Sequence, residues 1–402
     1  MAFASSSFDL LSDRRAGSLL ILAFVLCFLG SSIYLVAPLR PFHWGLALMA
    51  LAFACNRTTR RILAEGPHWK LAAVTVVLIL AQSIYASQTQ RYMQFIIILM
   101  IGVAHLLLAQ QLAARHIDLT PLLRGLVVWW LILAWFPVFD AWTHSGRFRP
   151  EYPLTGGPWD NVNDMGTVLV FAALLWFTIK RRLPPLLFAT VWIYCLLLNR
   201  RADVAALVVF GLAYLLFFMP AGWRKRAGFA AGWAILTAAL IGAMHYEGMQ
   251  TRAMPQLTVT QGELTVAQTP GDASTDYRRT MVVDMLHQAR DMPWWQWITG
   301  MGVGQLNVTW PVPGAIAPWA SPHLFWLEMM FYLGLAWPLA LLWLLWRSDW
   351  RGRTCLVVAG IAGLAPSSMV YLQPFWFLLG WLFASPPGHG PAPARPRGSV
   401  LS

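Results

Sequence analysis

Residues 93–110 read Met93-Gln94-Phe95-Ile96-Ile97-Ile98-Leu99-Met100-Ile101-Gly102-Val103-Ala104-His105-Leu106-Leu107-Leu108-Ala109-Gln110, with no Asp, Glu, Lys or Arg among them. As a helix this run is about 27 Å long, close to the roughly 30 Å of a bilayer's hydrocarbon core. A helix also satisfies its own backbone polar groups, as lipid requires. The pattern recurs along the chain. Apolar runs at 17–37, 42–56, 69–86, 93–110, 119–139, 163–179, 184–199, 203–219, 226–245, 322–346, 354–369 and 371–385 make twelve candidate spans. The second and the last two are short, as tilted, hairpin-paired or re-entrant segments are. The expected fold is an all-α polytopic membrane protein of about 12 transmembrane helices.

Composition agrees. Of 402 residues, 58% are hydrophobic and 11% charged, against about 25% charged in a soluble domain; mean hydropathy is +0.56. A formal charge of +12 is not by itself a sign of nucleic-acid binding: the basic residues stand in short clusters between apolar runs, and no nucleic-acid partner is expected. Cys27, Cys55, Cys195 and Cys355 lie in or beside apolar runs, a placement that suits small buried residues rather than disulfides or zinc. Most of the 23 Trp and 10 Tyr fall near the ends of runs, where an aromatic belt meets the headgroups.

Arginine and lysine bias sets the orientation. With a cytoplasmic N-terminus, nineteen basic and five acidic residues face inside (+14), and ten basic and twelve acidic face outside (−2). No cleavable signal is expected: Arg14 and Arg15 precede an apolar run too long for a signal peptide's core, so the first helix stays as an anchor. Helices 1–9 then occupy 1–245, a large outer loop 246–321, helices 10–12 residues 322–385, and a disordered cytoplasmic tail 386–402. The outer loop is polar and β-prone at Gln256-Leu257-Thr258-Val259-Thr260. From Thr275 to Arg290 its apolar positions Met281, Val282, Met285, Leu286 and Ala289 predict an amphipathic helix.

Several residues at this outer face could carry chemistry. Ser321-Pro322-His323 reads as a helix start, serine capping and proline in the first position. The positive helix end would keep His323 neutral, available as a general base; an interfacial histidine with no chemical role is the alternative. Asn199-Arg200-Arg201-Ala202-Asp203 puts two arginines where the positive-inside rule depletes them. They either pair with Asp203 or, with Arg278 and Arg279 of the large loop, hold phosphate oxygens, which a guanidinium fork fits. Gly300-Met301-Gly302-Val303-Gly304 has no P-loop lysine and reads as a turn returning the chain to the membrane. Glu328 reads as a helix-packing partner, and His105 and His245 as structural. No histidine or carboxylate cluster has metal-ligand spacing; no metal or other cofactor is expected.

Together these segments resemble the bacterial O-antigen ligase and polymerase superfamily. Pro158-Trp159-Asp160-Asn161-Val162-Asn163 is similar to its asparagine-rich approach to a span, making Asn161 and Asn163 possible substrate contacts. Leu198-Asn199-Arg200-Arg201-Ala202 resembles its apolar-Ser-Arg-Gly/Ala turn, with Arg201 as the motif arginine. Arg278 or Arg279, Pro293 and the Gly300–Gly304 run are similar to its Arg…Pro…Gly-x-Gly loop. His323 and Gly334 match the ligase spacing, while Leu324 and Trp337 depart from the residues favoured there.

The resemblance implies a metal-independent, inverting glycosyl transfer at the periplasmic face of a bacterial inner membrane. The donor would be polysaccharide on undecaprenyl diphosphate and the acceptor a sugar hydroxyl of lipid A–core. His323 would be catalytic, and Arg200, Arg201, Arg278 and Arg279 would bind the diphosphate. O-antigen polymerase and protein O-oligosaccharyltransferase are alternatives within the superfamily; the outer arginines lack the polymerase's Arg-x10-Gly and Arg-x15-Gly spacings. A lipid-linked sugar flippase or transporter is the alternative of another class.

Overall fold

The computed structural model describes residues 10–30, 41–66, 68–145, 162–198, 200–219, 222–246, 255–260, 263–268, 273–306, 308–309, 316–317, 324–364 and 372–384. Sixteen helices are found among them: α1 (Asp13–Gly30), α2 (Pro41–Cys55), α3 (Arg57–Glu65), α4 (His68–Gln82), α5 (Thr89–Ala114), α6 (Thr120–Ser145), α7 (Val162–Lys180), α8 (Pro185–Leu197), α9 (Arg201–Ala213), α10 (Trp223–Tyr246), α11 (Ala273–Asp291), α12 (Trp294–Thr299), α13 (Phe325–Leu333), α14 (Ala336–Arg347), α15 (Trp350–Ala362) and α16 (Gln373–Ala384). A π-helical turn, Tyr214–Phe218, continues α9. Two small antiparallel hairpins complete the fold, β1 (Pro255–Thr260) with β2 (Glu263–Gln268) and β3 (Val308–Thr309) with β4 (Ile316–Ala317).

Helix covers part of each of the twelve apolar runs. Three helical segments among the described residues are long and apolar enough to cross a membrane: Thr89–Ala114, Thr120–His144 and Arg201–Phe218. The number rises to five if the bent pairs α3–α4 and α13–α14 each count as one span. Several helices carry exposed apolar stripes. On α6, Val128, Ile132, Phe136 and Phe139 form an outward stripe, and Met93, Ile97 and Met100 form another on α5. In water such contiguous apolar faces would need a partner. Exposed tryptophans stand near helix ends, among them Trp44, Trp69, Trp142, Trp223, Trp346 and Trp350, as an aromatic belt requires.

The core is built around α7. From Met165 to Leu175 every side chain is buried, and a helix apolar on all sides belongs inside a bundle. Around it pack α6, α8, α9, α15 and α16. The α5–α16 pair approaches through small residues. A Cβ at Gly380 would lie 2.2 Å from the Leu106 carbonyl oxygen, and one at Gly102 would lie 2.6 Å from the Trp376 ring. Cys27, Cys195 and Cys355 are buried among these helices, Cys55 is half-buried, and all four are free thiols.

A polar network ties the start of α1 to α3 and the end of α5. Asn56 caps α3, its Oδ1 accepting from Thr59 N at 2.7 Å, while its Nδ2 donates to Asp13 Oδ1 at 3.0 Å. Arg115 donates to Asn56 Oδ1 at 3.1 Å and to Thr59 Oγ1 at 2.7 Å. The Asn56 hydrogen bond, ahead of one from Thr58, holds the Asp13 carboxyl below its ordinary value, with Arg115 and Arg61 adding to the effect. Partial burial pulls the Arg115 guanidinium down from its own.

Two expectations are corrected. The tenth run is not one straight span: α13 and α14 meet at 119°, broken at Gly334, whose φ of 60° only glycine adopts readily. Nor does that helix start at Pro322. It starts at Phe325, after a non-helical Leu324 (φ −138°, ψ 72°). The amphipathic segment of the large loop is α11, with Met281, Met285 and Ala289 buried; Leu286, expected on the same face, is exposed.

Candidate functional site

The Arg200–Asp203 turn is built by two helices that stop and start within a few residues. The last turn of α8 closes with Leu198 N donating to Tyr194 O at 3.1 Å and Arg200 N to Cys195 O at 2.8 Å. Arg200 then becomes the N-cap of α9, its carbonyl accepting from Val204 N at 2.8 Å. Asp203 falls in the first turn, where the helix dipole favours an acid. This turn seats on the first turns of α7. Asp203 Oδ1 accepts from Thr167 Oγ1 at 3.1 Å. A Cβ on Gly166 would lie 2.7 Å from Asp203 Oδ2 and 3.7 Å from Arg200 Cγ, so glycine makes room for the carboxylate and the arginine stem. Arg200 is buried at 5% exposure, Asp203 is fully buried, and Arg201 is exposed. Arg200 and Asp203 both act electrostatically on Tyr194 and Cys195. The arrangement presents one cation outward on a buried polar foundation.

A second junction joins the glycine-rich turn to the break between α13 and α14. A Cβ on Gly300 would lie 2.2 Å from Tyr332 O, and one on Gly334 would lie 2.4 Å from Ile298 O. The two backbones exchange hydrogen bonds, Met301 N to Phe331 O at 2.7 Å and Leu335 N to Trp297 O at 3.0 Å. Gln82, fully buried at the end of α4, fastens both. Its Nε2 donates to Thr299 O at 2.6 Å and Tyr332 O at 2.7 Å, and its Oε1 accepts from Val303 N at 3.3 Å. Gly300–Gly304 is thus a packed structural turn.

One ring packs between α7 and the start of α13. Phe375 of α16 lies 5.7 Å from Phe171 of α7 and 5.2 Å from Phe325, the first residue of α13. Glu328, in the first turn of α13, is fully buried.

No family model, curated protein or solved structure matches this chain.

Of the residues singled out in the sequence, the structure brings Arg200 against Gly166 in the first turns of α7 and leaves Arg201 exposed on the same turn. Asn163 lies in the first turn of α7 and Arg278 and Arg279 lie in α11; the placement of these three side chains, like Asn161, is outside what the structure describes. His323 also lies outside the described residues. His105 is buried, with Nδ1 2.7 Å from Ile101 O and its ring against Phe28.

Gln82, Gly166 and Thr167 escaped the sequence reading. Gln82 had a signal, being a polar residue inside an apolar run, where such groups need an internal partner. Gly166 had none, because its partner lies 37 residues away in Asp203.

Proposed function

We propose that this chain is a polytopic inner-membrane glycosyltransferase of the O-antigen ligase kind. It moves polysaccharide from undecaprenyl diphosphate to a sugar hydroxyl of lipid A–core at the periplasmic face. One observation carries the reading: residues beside motif segments that are distant in sequence meet. Gly166 and Thr167, just after Asn163, meet Arg200 and Asp203, and Gly300 meets Gly334. Short apolar helices such as α2 and α8 cross as parts of a twelve-span bundle in this reading.

In the transfer, His323 takes the proton of the acceptor hydroxyl as its oxygen attacks the anomeric carbon. The bond from that carbon to the diphosphate oxygen breaks, the electron pair leaves with the diphosphate, and the anomeric centre inverts. Arg201, exposed on its buried foundation, with Arg278 and Arg279, neutralises the charge growing on the leaving group, an electrostatic contribution typically worth several kcal/mol of barrier.

Purified protein in vesicles, given a diphosphate-lipid donor and lipid A–core, should form ligated product. His323→Ala should lose it while donor and acceptor remain bound, and Arg201→Ala should lose it together with donor affinity. The discontinuous α13–α14 pair is a feature transporters also use. Movement of the donor across the vesicle without covalent product would therefore replace transfer with transport.

A further inference from the structure

We propose that Arg91 is the cation of a phosphate-binding site at the outer end of α5, one that no motif residue supplies. The proposal shares the membrane orientation with the function above and is otherwise independent of the transfer reaction.

Four features meet there. Arg91 is the third residue of a 26-residue helix whose N-cap, Gln88, gives no side-chain cap. Its guanidinium folds back toward that end, with Nη1 3.4 Å from Gln88 Oε1 and the guanidinium carbon 5.9 Å from the Phe95 ring. The residue is 5% exposed. Its Nε is buried without a hydrogen-bond partner, and among the described residues no carboxylate comes within ion-pair distance.

The electrostatics of this place have one sign. A helix N-terminus carries roughly half a positive charge, and a full guanidinium charge stands on it. A cation so placed opposes its own helix dipole, and burying it without an opposite charge is unfavourable. The arrangement is complementary to an oxyanion, which would meet the guanidinium and the first-turn amides together. Exposed Thr89 and Gln90 leave the end of the helix open, and Met93 is exposed one turn below Thr89.

The platform is rigid. Gln305 Oε1 accepts from Ser87 Oγ at 3.1 Å and Gln88 N at 3.0 Å. Gly304 presses on the same turn so closely that a Cβ there would lie 2.9 Å from Phe95 and 3.1 Å from Arg91 O. Holding a planar donor fork in one place reduces the entropy lost on binding. At headgroup level the oxyanion that matches this fork is a phosphate, brought by a lipid diphosphate or by an anionic phospholipid.

The test uses the full chain in phosphatidylcholine nanodiscs, with inorganic diphosphate, undecaprenyl diphosphate or added phosphatidylglycerol as probes. Wild type should show a saturable rise in thermal midpoint. Arg91→Met should keep or raise the probe-free midpoint and bind at least tenfold more weakly; Arg91→Lys should fall between. A response to both diphosphates assigns the site to a lipid diphosphate; a response to phosphatidylglycerol alone assigns it to a phospholipid headgroup. Wild-type binding of every probe by a variant with an unchanged midpoint overturns the proposal. So does a lowered probe-free midpoint in both variants, which would make Arg91 a purely structural residue. Neither readout depends on product formation, so a failed ligation assay leaves it intact.

Discussion

Gln82→Leu removes one side chain of similar volume and three hydrogen bonds. The donors to Thr299 O and Tyr332 O and the acceptor for Val303 N all disappear, in a place where Gln82 is fully buried. A net hydrogen bond contributes about 1 kcal/mol, and a buried backbone group left unsatisfied costs about 1–3 kcal/mol. Three such losses make the substitution destabilising by at least about 3 kcal/mol. Leucine recovers little of this, because the pocket is polar on three sides. Gln82→Glu is the sharper companion. It keeps an acceptor for Val303 N but turns carboxylate oxygens toward two carbonyls, and it should cost as much or more. Equilibrium unfolding in mixed micelles, followed by tryptophan fluorescence, measures both. Because Gln82 holds the turn against the far end of α13, the proposed transfer should slow in kcat more than donor binding weakens. A Gln82→Leu protein within 0.5 kcal/mol of wild type would refute the assignment of Gln82 as the fastener of this junction.

Three further outcomes are expected. Gly166→Ala places a methyl 2.7 Å from Asp203 Oδ2; displacing the Asp203–Thr167 pair should cost about 1–3 kcal/mol, the usual range for overpacking, with transfer falling in parallel in the vesicle assay. Gly334→Ala combines an unfavourable φ of 60° with a contact of 2.4 Å to Ile298 O, so it should destabilise by about 2 kcal/mol or more in the same unfolding titration. Asp13, whose carboxyl is held low chiefly by Asn56, stabilises the folded state above the ordinary carboxylate value of about 3.9. That stabilisation is lost as pH falls through the lowered folded value. The thermal midpoints of wild type and Asp13→Asn should therefore differ at neutral pH and converge below about pH 4; a constant gap would show that Asp13 acts through geometry rather than charge.

Much of the architecture is legible because lipid simplifies the code. An apolar run near 20 residues long has few structures open to it, and helix lies on every such run. The α11 segment is visible from the spacing of Met281, Met285 and Ala289, and strand β1 from the β-prone run at 256–260, but not its partner β2. The candidate site was legible only as separate patches. Arg200 and Arg201 stood out by breaking the charge rule for their face. That Arg200 is buried while Arg201 is exposed follows from where α9 begins, and the contact of Asp203 with Gly166 and Thr167 depends on how α7 and α9 pack. Neither is encoded in a local pattern.

The tenth run shows how hydropathy hides a break. Between Phe325 and Arg347 the apolar character continues through the 119° turn, so an average over the window sees one span. Punctuation was nevertheless present. Gly334 stands where a glycine ends a helix, and Pro338 falls in the first turn of α14, where proline is tolerated. A helix stop followed four residues later by a helix-start proline is a sentence boundary inside an apolar run. The consequence is mechanical. The nine residues of α13 rise about 14 Å, roughly half a bilayer core. α13 by itself therefore cannot cross, and its first residue, two after His323, is fixed by contacts with Phe375, while its far end is fixed by Gln82 and Gly300. Loosening Gln82 should therefore slow the proposed transfer through α13, although Gln82 and His323 are 241 positions apart in the sequence.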